Sequence, residues 1–156
     1  ELQSVLRYAG GRYATIAVHA TSIGAWFSMH AFADARIEKC LFVSPLVDMP
    51  VMIRGMMAAA GVDRARLKRE KEIQTDFGQT LSWDYLCFAE AHPARAFCPD
   101  TAVLYGGADT TVPRATIDRF VADNECRLTV LPGGEHWFHT EAQLAALRAF
   151  EAEALS

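Results

Sequence analysis

The chain has 156 residues, 51% of them hydrophobic, with 15 basic against 19 acidic side chains and a formal charge of −4. That length suits one domain of ~100–200 residues, and with only 10 Gly and 6 Pro in so apolar a chain it is neither disordered nor collagen-like. The mild acidity leaves no electrostatic footprint for nucleic acid or an anionic membrane surface.

Leu2, Val5, Leu6 and Ala9 recur at helical spacing, and Gly10-Gly11 stops that helix. Residues 13–19 form a short apolar run with β-branched members, which predicts a strand buried on both faces. Ile23 to Phe32 predicts a helix that is apolar nearly all round. Lys39 to Val43, Thr101 to Tyr105 and Leu128 to Leu131 are three further short strands. They are closed by Ser44-Pro45, Gly106-Gly107 and Pro132-Gly133-Gly134 respectively. Helices with apolar faces follow the last two, at Ile117, Phe120 and Val121 and at Leu144, Leu147, Phe150 and Leu155.

Strands alternating with helices predict an α/β fold whose sheet of about four strands is mostly parallel and covered on both faces. Residues 1–44 and 101–156 supply that core. Residues 45–100 exceed what a simple crossover needs. They hold a Met-rich segment from Val51 to Ala60, a charged stretch from Asp63 to Glu72 and an aromatic helix around Trp83-Asp84-Tyr85-Leu86. Such an insertion predicts a helical lid over one end of the sheet, and ligands in open α/β sheets bind at the carboxyl ends of the strands.

Three constellations can carry chemistry. Ala20-Thr21-Ser22-Ile23-Gly24 lies between the first strand and the apolar helix, the setting of a nucleophile elbow, although its first small residue is Ala where Gly is usual. Leu104-Tyr105-Gly106-Gly107-Ala108-Asp109 ends a buried strand in a glycine turn with a carboxylate, and Gly133-Gly134-Glu135-His136-Trp137 runs the last strand into a glycine loop with a histidine. The order Ser22, Asp109, His136 suits a nucleophile, an orienting acid and a general base, with the Ile23 N–H at the helix start as one oxyanion donor.

Each residue also has a plainer use. Ser22 is placed to N-cap the following helix, and Asp109 to hold a turn or cap the helix near Pro113. Asp48 is the rival acid and His139 the rival base. His136 and His139 lack a third ligand at zinc spacing, so no metal is expected. His19, His30 and His92 suit structural or solvated roles, and the charges from Arg64 to Lys71 a solvated helix face. Met49, Met52, Met56, Met57, Trp83, Tyr85 and Phe88 suit either plain core or an apolar acyl pocket under the lid. Cys40, Cys87, Cys98 and Cys126 form no C-x-x-C pair and are expected to be free thiols in a reducing compartment. With no export signal and no apolar run near the ~20 residues of a bilayer span, cytoplasm is the expected location.

Thr21-Ser22-Ile23-Gly24-Ala25, Leu41-Phe42-Val43-Ser44-Pro45, Leu104-Tyr105-Gly106-Gly107 and the run from Gly134 to Glu141 together resemble the α/β-hydrolase superfamily, in a poorly characterised bacterial branch. The resemblance spans the whole chain but only the later strands of the family fold. It implies a serine hydrolase acting on a carboxylic ester, thioester or small amide, without cofactor or metal, with residues 45–100 as the lid. A ligand-binding module on a degenerate scaffold and an acyltransferase with the same triad are the alternatives. The chain begins at Glu1 rather than Met, and only one helix precedes the elbow strand, so the loop that gives the family its second oxyanion donor has no candidate. The expectation is therefore a C-terminal portion of a larger hydrolase. Residues 13–19 would then form an open sheet edge, suited to a homodimer or to association with another strand.

Overall fold

In the computed structural model, which describes residues 1–156, helix α1 spans Leu2–Gly10. Beyond it the N–H groups of Arg12 and Tyr13 both donate to the Ala9 carbonyl at 2.9 Å, so the chain is still turning where a strand was expected. Strand β1 accordingly covers Ala17–Thr21 rather than residues 13–19. It pairs in parallel with β2 (Lys39–Val43), from Ala17 opposite Lys39 to Thr21 opposite Val43. The expected burial on both faces does not hold. β1 is an edge strand with β2 as its only neighbour, and Ala17, His19 and Thr21 are exposed. Between the two strands lies α2 (Ile23–Ala31), which buries Ala25, Trp26, Ser28 and Met29 while leaving Ile23 and Phe27 exposed.

Two compact units share the chain: Glu1–Val47 with Ala94–Ser156, and Asp48–Pro93. The second unit begins with α3 (Met49–Ala59), whose N-cap Asp48 accepts the Val51 N–H at 3.0 Å. Helix α4 (Arg64–Glu70) is capped in the same way by Asp63, and α5 (Trp83–Ala91) by Ser82. A short antiparallel hairpin, β3 (Glu72–Gln74) with β4 (Thr80–Ser82), separates them, so this region is not wholly helical. Each hairpin strand has one inward side chain, Ile73 or Leu81, and Gly78 takes the left-handed turn conformation at φ 82°. Three residues with one apolar member are too few to announce a strand by alternation. Met49, Ile53, Met57, Leu67, Leu81 and Leu86 make the unit's core. Arg64 donates to both carboxylate oxygens of Glu90 and lies 4.9 Å over the Trp83 ring, so it is more than a solvated charge.

The chain then returns to the sheet through β5 (Thr101–Gly106), α6 (Arg114–Asn124), β6 (Arg127–Leu131) and α7 (Glu141–Leu155). The strand order is β1-β2-β5-β6, every pair parallel. β5 is buried at all six positions because it lies between two strands. On one side of the sheet, Leu41, Val43, Ala102 and Leu104 pack with Phe138, Phe150 and Ala154. At the amino ends of the strands, Asp100 takes contacts from Lys39 at 3.3 Å and Arg127 at 2.7 Å, tying β2, β5 and β6 together. Partial burial works against the Asp100 charge, yet these two cations hold its carboxyl below the usual carboxylate range. All four cysteines are free thiols, Cys40 and Cys98 buried and the others half-buried. No helix is long and apolar enough to cross a membrane.

Candidate active site

In a parallel sheet every carboxyl end points the same way, so residues that follow different strands can meet. Ser22 comes directly after β1, Asp109 three residues after β5, and His136 five residues after β6. Ser22 adopts φ 51° and ψ −121°, a conformation costly for a residue with a side chain, of order 1–3 kcal/mol. Backbone bonds hold it there. Its N–H donates to Val43 O at 3.0 Å, and its carbonyl accepts the N–H groups of Leu46 at 3.0 Å and Ala25 at 3.1 Å. Ala in place of the usual first Gly is accommodated, because a methyl group on Gly24 would meet the Ala20 Cβ only at 3.9 Å. Although Ser22 occupies the N-cap position of α2, its side chain makes no capping bond. Its Oγ lies 2.9 Å from His136 Nε2 instead.

The glycine loops after β5 and β6 are joined along their backbones. Gly107 N–H donates to Leu131 O and Ala108 N–H to Gly134 O, each at 2.8 Å. The approach is so close that a methyl group on Gly106 would sit 2.5 Å from the carbonyl oxygens of Gly134 and Glu135. Asp109 uses both carboxylate oxygens. Oδ1 accepts the N–H groups of Thr111 at 2.7 Å and Val112 at 3.0 Å, while Oδ2 lies 2.7 Å from His136 Nδ1. The turn-holding use and the pairing with histidine therefore coexist. The Asp109 side chain is fully buried, and that of His136 is 19% exposed. An ionised carboxylate only accepts, so Nδ1 carries the ring proton and Nε2 is left to accept from the Ser22 hydroxyl. Below Asp109, the Tyr105 hydroxyl donates to Val112 O at 2.8 Å. Burial, together with the Asp109 charge, pushes that phenol above its ordinary range.

The other candidates go elsewhere. The Asp48 carboxylate is spent as the N-cap of α3. His139 faces Trp137 O at 2.8 Å and Glu135 at 3.3 Å, so Ser22 has His136 and not His139 as its partner. No cluster of three or more His, Cys, Asp or Glu side chains is arranged to hold a metal ion. Ile23 opens α2, so its N–H is among those a helix leaves without an internal partner. His19 pairs with Glu151 at 3.1 Å, while His30 and His92 each bond a carbonyl of their own helix. Met49 is core of the second unit, Met52 and Met56 are half-buried there, Trp83 lies under Arg64, and Tyr85 stacks on Phe88.

A cavity of about 170 Å³ opens at His136, lined also by Thr21, Val43, Trp137, Phe138 and Leu147. Besides the Thr21 hydroxyl and the His136 imidazole its lining is aliphatic and aromatic, and Trp137 is 72% exposed. The sequence marks these residues as strand, loop and helix positions, not as pocket lining. The one available signal was an aromatic pair directly after the loop histidine, Trp137-Phe138.

No family model matches the sequence, and no curated protein matches it. Solved structures do. Est1E from Butyrivibrio proteoclasticus superposes with a TM-score of 0.74 at 22% identity, over 99% of this chain and 68% of that one. The same protein with ferulic acid bound gives 0.76 at 22% identity, over 99% and 66%. Alpha/beta hydrolase domain-containing protein 10 from mouse gives 0.69 at 16% identity, over 98% and 67%. The chain thus spans about two-thirds of the length of these structures. At such identities the likeness speaks for the fold. With its parallel order β1-β2-β5-β6 and these superpositions, the chain shares the α/β fold of these structures.

Proposed function

We propose that this chain supplies the nucleophile, base and acid of a serine hydrolase that cleaves a carboxylic ester, thioester or small amide. The observation that carries the reading is the continuous bond series from Asp109 Oδ2 to His136 Nδ1 and from His136 Nε2 to Ser22 Oγ, at 2.7 and 2.9 Å. Ser22 Oγ attacks the carbonyl carbon as its proton passes to His136 Nε2, and the charge on the resulting oxyanion falls to the Ile23 N–H. His136 then returns the proton to the leaving group, giving the acyl-Ser22 ester. Water, deprotonated by His136, attacks that ester and regenerates the free hydroxyl. Asp109 keeps the imidazole in the tautomer that accepts at Nε2 and stabilises the imidazolium of each half-reaction.

The cavity beside His136 favours an uncharged, apolar group on the substrate, such as an aryl ring or a short acyl chain. Ferulic acid, an aromatic acid, is bound by the similarly folded Est1E, which agrees with that class. Labelling with a fluorophosphonate probe tests the nucleophile. Wild-type protein should be labelled at Ser22, and Ser22→Ala should not be labelled at all. Equal labelling of the two proteins overturns the assignment. Asp109→Asn should lower turnover about 10⁴-fold, as expected when the imidazole is left in the wrong tautomer.

A further inference from the structure

β2 pairs with its neighbours on both sides as far as Ser44. Val43 O accepts the Ser22 N–H at 3.0 Å, and Ser44 N–H donates to Leu104 O at 2.8 Å. In a regular parallel ladder the next donor to the Ser22 carbonyl would be residue 45. That residue is Pro45, which has no N–H. The Ser22 carbonyl is satisfied one residue later, by Leu46 N–H at 3.0 Å. The slip requires a turn at Ser44, whose φ is 42°, and Ser44 is fully buried with a hydroxyl that has no hydrogen-bond partner. A left-handed non-glycine backbone and a buried unpaired hydroxyl are both destabilising. Such strain gathers where the surroundings over-determine a geometry for function. Here the residue overdetermined from outside is Ser22, itself at φ 51°.

We propose that the bulge Ser44-Pro45-Leu46 is a positioning device for the nucleophile, with Pro45 as its key residue. By denying the ladder its next donor, Pro45 forces the turn at Ser44 and brings the Leu46 N–H onto the Ser22 carbonyl. Ser22 is then fixed at both its N–H and its C=O by the end of β2, and its hydroxyl is held toward His136. Pro45 is thus a positioning residue, acting through the backbone of Ser22. The inference rests on Ser22 being the nucleophile.

Two variants test it. Pro45→Ala restores a ladder donor and lets the turn relax. A backbone ester at position 46 (the α-hydroxy analogue of leucine) deletes only the N–H and keeps the side chain, so it decides the matter should Pro45→Ala fail to fold. Each should slow fluorophosphonate labelling of Ser22 and lower kcat on an aryl ester by about tenfold or more, since misplacement near 1 Å costs about 10². KM should stay within about twofold, because the substrate contacts are untouched; a merely structural loss would not show that split. Wild-type labelling and kcat in the ester variant overturn the positioning role while leaving the nucleophile assignment intact. Absence of labelling in the wild-type protein overturns the nucleophile assignment and the proposal with it.

Discussion

Gly106→Ala should separate the candidate acid from the candidate base. The added methyl group would lie 2.5 Å from the carbonyl oxygens of Gly134 and Glu135 and 2.7 Å from the Gly134 carbonyl carbon. These are backbone atoms, so no side chain can turn aside. Gly106 belongs to the buried central strand, so the β6 loop is the part that gives. To reach an ordinary contact of 3.4 Å it must retreat by about 0.9 Å. His136 follows on that loop, two residues after Gly134. Moving the loop by this amount lengthens the 2.7 Å bond to Asp109 to roughly 3.6 Å, beyond hydrogen-bonding range. Overpacking of this kind costs ~1–3 kcal/mol in stability, and loss of the aligned base should lower kcat about 10²-fold. The assay is hydrolysis of an aryl ester with a thermal melt beside it. A Gly106→Ala protein with wild-type kcat and an unshifted melting temperature would refute the reasoning, since the two loops would then not be held at contact distance.

Ser44→Gly should stabilise the chain by about 1 kcal/mol, because relief of a left-handed backbone worth ~1–3 kcal/mol exceeds the ~0.4–1 kcal/mol lost to a looser unfolded chain. A calorimetric rise of about 2–4 °C is expected, and a fall in melting temperature would count against the strain at φ 42°. Asp100 has a folded pKa below its unfolded value, so its stabilisation is present above the ordinary carboxylate pKa of ~3.9 and is lost as pH falls through the lower folded value. Asp100→Asn should therefore flatten the acid limb of a melting-temperature profile, and a limb as steep as in the wild type would show that the contacts to Lys39 and Arg127 contribute little. Burial, with Cys98 beside it, pushes the Cys40 thiol well above its usual range, and burial holds Cys126 up to about 11. Iodoacetamide at about pH 8 should leave both largely unmodified until denaturant is added, as read by peptide mass; prompt alkylation of Cys40 in the folded protein would contradict its burial.

Local pattern was enough for most of the core sheet. Lys39–Val43 and Thr101–Tyr105 read as strands from runs of apolar residues, because strands flanked on both sides in a parallel sheet need no polar face, and the structure extends the second by one residue to Gly106. The edge strand was misplaced because its pattern resembles that of a central strand. Only the fold shows that the chain is still turning at Tyr13, held by Ala9 O, and that the strand begins at Ala17. The β3–β4 hairpin escaped notice because each strand offers a single inward residue.

Chain order alone drew attention to Ser22, Asp109 and His136, because a strand that ends in a small-residue turn is a local feature. Choosing His136 over His139 was a matter of three residues in sequence, and it took the folded β6 loop to aim one ring at Ser22 and the other at Trp137 O and Glu135. Ser44-Pro45 marks a strand end and Trp137-Phe138 an aromatic pair in the sequence, but the bond from Leu46 N–H to Ser22 O and the cavity lined by Thr21, Val43 and Leu147 join segments far apart in the chain. Composition and periodicity are short-range properties, and they determined an α/β chain with its candidate residues at strand ends. Distances of 2.7 and 2.9 Å between residues 27 and 114 positions apart are set by strand register and loop contact, which only the tertiary structure decides.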